Sequence, residues 1–261
     1  MTEKRIAALL AAAGPAKTGH IIYKPENIRY FSGFTGEGFL YITSDALCLV
    51  TDSRYTEQAG KQAPLFRVYQ TNPLSEIELM KKLVSENPAD TVSYEDEYIS
   101  AKQFSLITSA LKGANLVPAG GIAESLRAVK DESEIASVRR ACELTDMGAE
   151  FLARTIRPGM TEKRLALELD FYLCTNGSEK PSFSTIVASG ANGSMPHAIP
   201  GDKPFEKGEL ITIDFGCTVE GYASDMTRTF ALGQVSDTLR SIYDITFRAH
   251  MAALTALRPG M

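Results

Sequence analysis

The chain has 261 residues, 44% of them hydrophobic, which is enough to bury a sizeable core and suggests two ordinary domains rather than one large one. Its 27 Lys and Arg stand against 32 Asp and Glu in no long single-sign run, for a net charge of −5, which argues against a nucleic-acid or anionic-membrane partner and for a small one. Cys48, Cys142, Cys174 and Cys217 lie far apart, without the Cys-x-x-Cys spacing of a zinc knuckle or redox pair, and read as four buried thiols of a reducing cytoplasm.

The opening MTEKRIAALLAAAG sets basic residues before a short apolar run, as a signal peptide does. Glu3 breaks that charge pattern, however, and Ile6, Leu9, Leu10 and Ala13 recur at helical spacing, so an amphipathic helix ended by Gly14 is expected instead. No stretch reaches the roughly 18 apolar residues of a membrane-spanning helix, and a soluble, cytoplasmic protein is expected. From residue 20 to 120, strand-like and helix-like runs alternate, the signature of an α/β layer arrangement. Strands are predicted at His20–Tyr23, Phe39–Thr43, Ala46–Thr51, Phe66–Tyr69 and Thr91–Tyr94, and helices at 54–62, 74–86 and 100–112. The turn-rich Val117-Pro118-Ala119-Gly120-Gly121 then marks the expected boundary between domains 1–121 and 122–261, followed by the charged stretch Arg127–Glu134.

Ile135, Val138, Cys142, Phe151 and Leu152 mark one side of a long helix over 132–155, which Pro158-Gly159 ends. Thr161 can cap the next helix, with Glu162 well placed against its dipole, running to Cys174. Arg157-Pro158-Gly159-Met160 recurs as Arg258-Pro259-Gly260-Met261, and each copy follows a helical run, the second over 237–257. A duplicated unit of about a hundred residues is consistent with this spacing, in which case the chain stops just after the opening helix of its second copy.

Residues 181–233 carry the chemistry. In Leu210–Phe215, Ile211, Ile213 and Phe215 alternate with Leu210, Thr212 and Asp214, which sets an acid on one face of a strand. After a turn at Val219-Glu220-Gly221, Tyr222–Phe230 reads as a returning strand with Asp225, Thr227 and Thr229 on one face. If the turn centres on Val219 and Glu220, Asp214 lies opposite Asp225; if it centres one residue later, Asp214 lies opposite Thr227. Both registers leave the two carboxylates on one face, at about 5 Å or at about 7 to 8 Å. Such a pair repels unless a cation sits between, and hard oxygen ligands suit Mn, Mg, Co or Zn, singly or as a pair about 3.5 to 4 Å apart. Taken alone, two acids at this spacing are more often a solvated surface hairpin. His197, in the loop Met195-Pro196-His197-Ala198, is a candidate third ligand, a proton shuttle or a merely satisfied partner, whereas His20 and His250 read as structural.

The segment resembles the proline-specific pita-bread metallopeptidases, the aminopeptidase P and prolidase family. The likeness rests on Ser-Gly, Pro-His, Ile-Asp-Phe-Gly, Gly-Tyr and Ser-Asp-Met-Thr-Arg-Thr within residues 181–233. Upstream, Arg29–Gly36 and Thr51–Tyr55 resemble that family's amino-terminal domain, and Arg127–Glu134 its interdomain junction. The resemblance implies an α/β (α+β) chain: a creatinase/prolidase-like N-terminal domain followed by a pita-bread catalytic domain that is here incomplete. It further implies hydrolysis of the peptide bond preceding proline, by an Xaa-Pro aminopeptidase or dipeptidase that uses two divalent metal ions, manganese first, with cobalt or zinc as alternatives. By the same resemblance Asp214 and Asp225 match the first two metal ligands, Asp225 the bridging one, and His197 matches the histidine that contacts substrate and steadies the reacting centre. Thr227, two residues from Asp225, is placed to orient that carboxylate.

The family's remaining ligands, one histidine and two glutamates, would lie beyond Met261, so weak metal binding and little or no turnover are expected unless a partner chain supplies them. A proline-containing peptide is the implied substrate and a homodimer the implied assembly. Three rival readings stand beside this one. A metal-free creatinase-like hydrolase is disfavoured by the presence of both aspartates, and a methionine aminopeptidase by the α/β domain ahead of the hairpin. The third is a non-catalytic pita-bread module that binds a peptide or protein.

Overall fold

The computed structural model describes residues 2–14, 17–72 and 75–261, so Leu74, the first residue of the predicted 74–86 helix, lies outside the described residues. The chain divides into two compact units, Met1–Lys130 and Asp131–Met261.

The first unit is a six-stranded mixed sheet with helices on both faces. Its strands are β1 (Thr18–Ile22), β2 (Phe39–Ile42), β3 (Leu47–Thr51), β4 (Arg67–Gln70), β5 (Thr91–Tyr94) and β6 (Asn115–Pro118), in the order β4-β3-β2-β1-β5-β6. β2 is antiparallel to β1 and β3, and the other pairings are parallel. Because successive side chains of a strand point to opposite faces, β2 is buried throughout and feeds two cores. Leu40 and Ile42 join Leu49, Ile6, Leu9 and Phe31 on one side, while Phe39 and Tyr41 join Val50, Met80, Leu83 and Ile107 on the other. The helices are α1 (Thr2–Ala12), α2 (Pro25–Ser32), α3 (Thr56–Gln62), α4 (Glu76–Glu86), α5 (Ala101–Ala110) and α6 (Ile122–Ala128). α2 and β6 lie in stretches where the sequence pattern predicts no element. α6 belongs to this unit, with Ala123 buried in the core of Ile6 and Leu9. The turn at 118–121 is therefore an internal connection, and the division falls after Lys130 rather than at the expected 121.

The second unit opens with α7 (Glu132–Thr155), where Asp131 and Glu134 form a reciprocal capping box. α8 (Glu162–Thr175) follows, capped by the Thr161 hydroxyl. The strands are β7 (Lys180–Pro181), β8 (Ile186–Ser189), β9 (Leu210–Phe215), β10 (Cys217–Val219), β11 (Tyr222–Ala223) and β12 (Met226–Ala231), and a helix α9 (Asp237–Ala256) ends the unit. They form two three-stranded antiparallel sheets, β11-β10-β7 and β12-β9-β8. Leu144 and Leu152 of α7 and Leu165, Leu169 and Leu173 of α8 share one core with Ile211, Ile213 and Phe215 of β9.

Two sequence expectations change here. The buried face of α7 is Glu134, Ser137, Ala141, Leu144, Thr145, Gly148 and Leu152, while Ile135 and Cys142 face solvent. The Phe215 ring of β9 reaches the helix so closely that a Cβ at Gly148 would fall 2.8 Å from it, so only glycine fits at that point without a shift. Of the four thiols, all free, Cys48 and Cys217 are buried but Cys142 and Cys174 are exposed, because both lie on the outer sides of their helices. α9 has no buried residue, and Tyr243, Phe247 and Leu254 of its apolar stripe face solvent. No helix among the described residues is long and apolar enough to cross a membrane.

Candidate metal centre

The hairpin that carries both aspartates turns on Glu220 and Gly221, which adopt φ of 50° and 81° and join Val219 directly to Tyr222. This is the later of the two possible centres. It fixes the register along the whole hairpin, so Asp214 pairs with Thr227 and Phe215 with Met226. The returning strand is not continuous: Ser224 and Asp225 lie between β11 and β12, where the hairpin passes from one sheet to the other. The cause is a close crossing. A Cβ at Gly216 would overlap the Ser224 carbonyl oxygen and Ser182 Oγ, so glycine lets the two strands meet there.

Ser224 is held from below. Its Oγ accepts the Cys217 N–H at 3.1 Å and bonds to Thr145 Oγ1 of α7, and Ser182 Oγ donates to its carbonyl oxygen at 2.8 Å. Asp225 thus follows a buried, bonded residue directly but is itself exposed.

On β9, Ile211, Ile213 and Phe215 are buried, and Asp214 is half-buried on the opposite face. The Thr227 hydroxyl donates to Asp214 Oδ1 at 2.7 Å, and two rungs along, on the same face, the Thr212 and Thr229 hydroxyls lie 3.2 Å apart. Thr227 therefore bonds to Asp214, its cross-strand neighbour, rather than to Asp225. Among the described residues no Lys or Arg forms an ion pair with Asp214 or Asp225. Two acceptor-only carboxylates with no cationic side chain between them have the donor chemistry a hard divalent cation requires. Among the same residues, no set of three or more His, Cys, Asp or Glu is placed to share one ion, so His197 is not gathered into a single cluster with the two aspartates.

His197 is exposed, in a turn that follows the 3-10 helix Gly190–Ser194, and the next residue, Ala198, is buried. His20 and His250 lie elsewhere, the first buried on β1 beside Ser93 and the second exposed on α9. The sequence assigns no role to Thr145, Ser182 or Ser224, although Ser224 opens the Ser-Asp-Met-Thr-Arg-Thr motif and immediately precedes Asp225.

The profile of metallopeptidase family M24 matches residues 136–261, and that of the creatinase/prolidase N-terminal domain matches residues 4–129. Among curated relatives, the uncharacterized peptidase YqhT of Bacillus subtilis is 35% identical over 93% of this chain and 69% of its own length. The Xaa-Pro dipeptidase of Pyrococcus furiosus is 32% identical over 92% of this chain and 68% of its own. Among solved structures, an Xaa-Pro dipeptidase from Bacillus anthracis superposes with a TM-score of 0.91 at 32% identity, over 100% of this chain and 74% of that one. An X-Pro aminopeptidase from Thermotoga maritima gives 0.85 at 34% identity, over 96% and 71%. A creatinase-like α/β unit followed by a pita-bread-like unit is the architecture these comparisons support, and the chain belongs to metallopeptidase family M24, with a creatinase/prolidase domain at its amino-terminal end.

Proposed function

We propose that the chain acts on the peptide bond preceding proline, as an Xaa-Pro dipeptidase or aminopeptidase. In this reading Asp214 and Asp225 are carboxylate ligands of divalent metal, and His197 is the group that meets the substrate. The observation that carries it is the pair itself: one carboxylate held by Thr227 on the outer face of a core strand, the other exposed at the strand break, with no cationic partner for either among the described residues. A divalent cation bound there supplies Lewis-acid polarisation and lowers the pKa of water. Thr227 occupies one lone pair of Asp214 Oδ1 and so turns the rest of that carboxylate toward an ion. His197, exposed on its loop, offers a donor for charge that develops on the substrate carbonyl oxygen. Proline gives the site its selectivity problem, because its nitrogen has no hydrogen to donate and its ring fixes φ.

Manganese is the proposed metal, with cobalt or zinc as alternatives, and a homodimer in the cytoplasm is the proposed setting. Two carboxylates hold an ion weakly, so calorimetry is expected to show weak manganese binding that Asp214→Asn or Asp225→Asn abolishes. Binding unchanged in either variant would remove the assignment, and tight uptake of two ions per chain would show that donors beyond this pair take part. Proline release from an Xaa-Pro dipeptide, against removal of the first residue from a longer Xaa-Pro peptide, separates the two activities. That no third donor joins the pair among the described residues favours one second reading, a module that binds such peptides and leaves them intact.

A further inference from the structure

Glu162 is the first residue of α8 and is fully buried, at 0% exposure. A carboxylate so placed needs a full set of donors, and it finds them in one loop. Its Oε1 accepts from the Ser189 N–H at 2.8 Å, the Ser189 hydroxyl at 2.8 Å and the Asn192 amide at 3.0 Å. Its Oε2 accepts from Asn192 at 3.1 Å and from the Gly201 N–H at 3.2 Å. The backbone repeats the attachment, with the Lys163 N–H donating to Gly201 O at 2.9 Å and the Glu162 N–H to Lys203 O at 3.2 Å. Lys203 then reaches back to Ser189 Oγ at 3.1 Å. Burial pushes the Glu162 carboxyl up, but the bonds from Ser189, Asn192 and Gly201 outweigh it and hold the group below its usual range, so it is ionised at neutral pH.

Residues 189 and 201 are thus drawn to one carboxylate, and the chain between them closes into a compact loop. His197 stands exposed on that loop, one residue before the buried Ala198. We infer that Glu162 is a positioning residue for His197: by binding both ends of the loop it sets where the imidazole stands relative to the Asp214 hairpin. This rests on the reading of His197 as the substrate-facing group.

Glu162→Gln tests it, because the amide nitrogen must replace one oxygen. Whichever way the amide turns, its NH2 faces a donor, either the Gly201 N–H or the Ser189 N–H, and one end of the loop lets go. Asn192→Ala, at a partly buried position, removes a strut without entering the core. Amide hydrogen exchange is measured in both variants, with proton NMR of the imidazoles before and after manganese is added; the chain has only 3 His, so assignment is direct.

The expected result is exchange faster by about tenfold or more at Gly201 and its loop neighbours, the equivalent of one lost hydrogen bond of about 1.4 kcal/mol. Exchange across residues 210–231 and the manganese affinity stay unchanged, while the paramagnetic broadening of the His197 ring signals falls. Unchanged exchange and broadening in both variants would overturn the inference. So would equal loosening of loop and hairpin, which would make Glu162 a general fold residue. If the unaltered chain takes up no manganese, the metal reading fails by itself, and exchange at Gly201 and His197 still decides the loop attachment.

Discussion

Protonating His20 should destabilise the first unit from within. The ring is 3% exposed on β1, Ser93 Oγ lies 2.8 Å from its Nδ1, and its Nε2 has no hydrogen-bond partner among the described residues. Burial lowers its pKa from 6.5 to about 4, since a charged imidazole there would keep an N–H with no acceptor. In the unfolded chain the ring protonates near its ordinary value, so the unfolded state binds the extra proton first. Stability from this group is complete above pH 6.5 and is lost as pH falls toward 4, below which no more is lost. At about 1.36 kcal/mol per unit over this interval, the loss is about 3 kcal/mol. Urea unfolding followed by tyrosine fluorescence suits the measurement, because the chain lacks Trp and most of its Tyr lie in the first unit. His20→Gln cannot titrate, and subtracting its pH profile from that of the unaltered chain cancels the carboxylates that titrate in both. A difference that stays flat from pH 7.5 to 4 would refute the reasoning.

At the hairpin crossing, Gly216→Ala drives a methyl group into the Ser224 carbonyl and Ser182 Oγ, so a loss of about 2 kcal/mol or more is expected in urea, together with weaker manganese binding by calorimetry. Gly148→Ala presses on the Phe215 ring at 2.8 Å and on Leu173 at 3.1 Å; overpacking of this kind costs about 1 to 3 kcal/mol and should lower the thermal midpoint of the second unit. Thr227→Val removes the hydroxyl from Asp214 at a solvent-facing position, so manganese affinity should fall while the urea midpoint moves by no more than about 0.5 kcal/mol.

What could be read from the sequence follows the range of each interaction. β2, β3 and β9 are legible because a strand's own alternation, or its unbroken apolar run, records how many of its faces are covered. The extent of α7 is legible from its capping residues, but its buried side is not. Ile135 is the larger apolar residue, yet Gly148 and Ala141 face the core, where Gly148 meets the Phe215 ring of β9 and the Ala141 carbonyl meets Cys217 Sγ of β10. β6 escapes notice as a short stretch beside a proline, with only Leu116 and Val117 to mark it. At the site, the two aspartates stand out, whereas the register that pairs Asp214 with Thr227 depends on Glu220 taking a positive φ, which its residue type does not advertise. Glu162 reads locally as a helix-dipole partner, since Ser189 and Gly201 lie 27 and 39 residues away in sequence.

β9 has one further consequence. The same six residues present Ile211, Ile213 and Phe215 inward and Asp214 outward, so an ion on the outer face is attached to the keel of the unit rather than to a detachable rim. Occupancy should therefore register as cooperative protection of the whole second unit. A ligand at a hundred times its dissociation constant would raise that unit's unfolding free energy by about 2.7 kcal/mol, and a melting curve becomes a binding assay that needs no turnover.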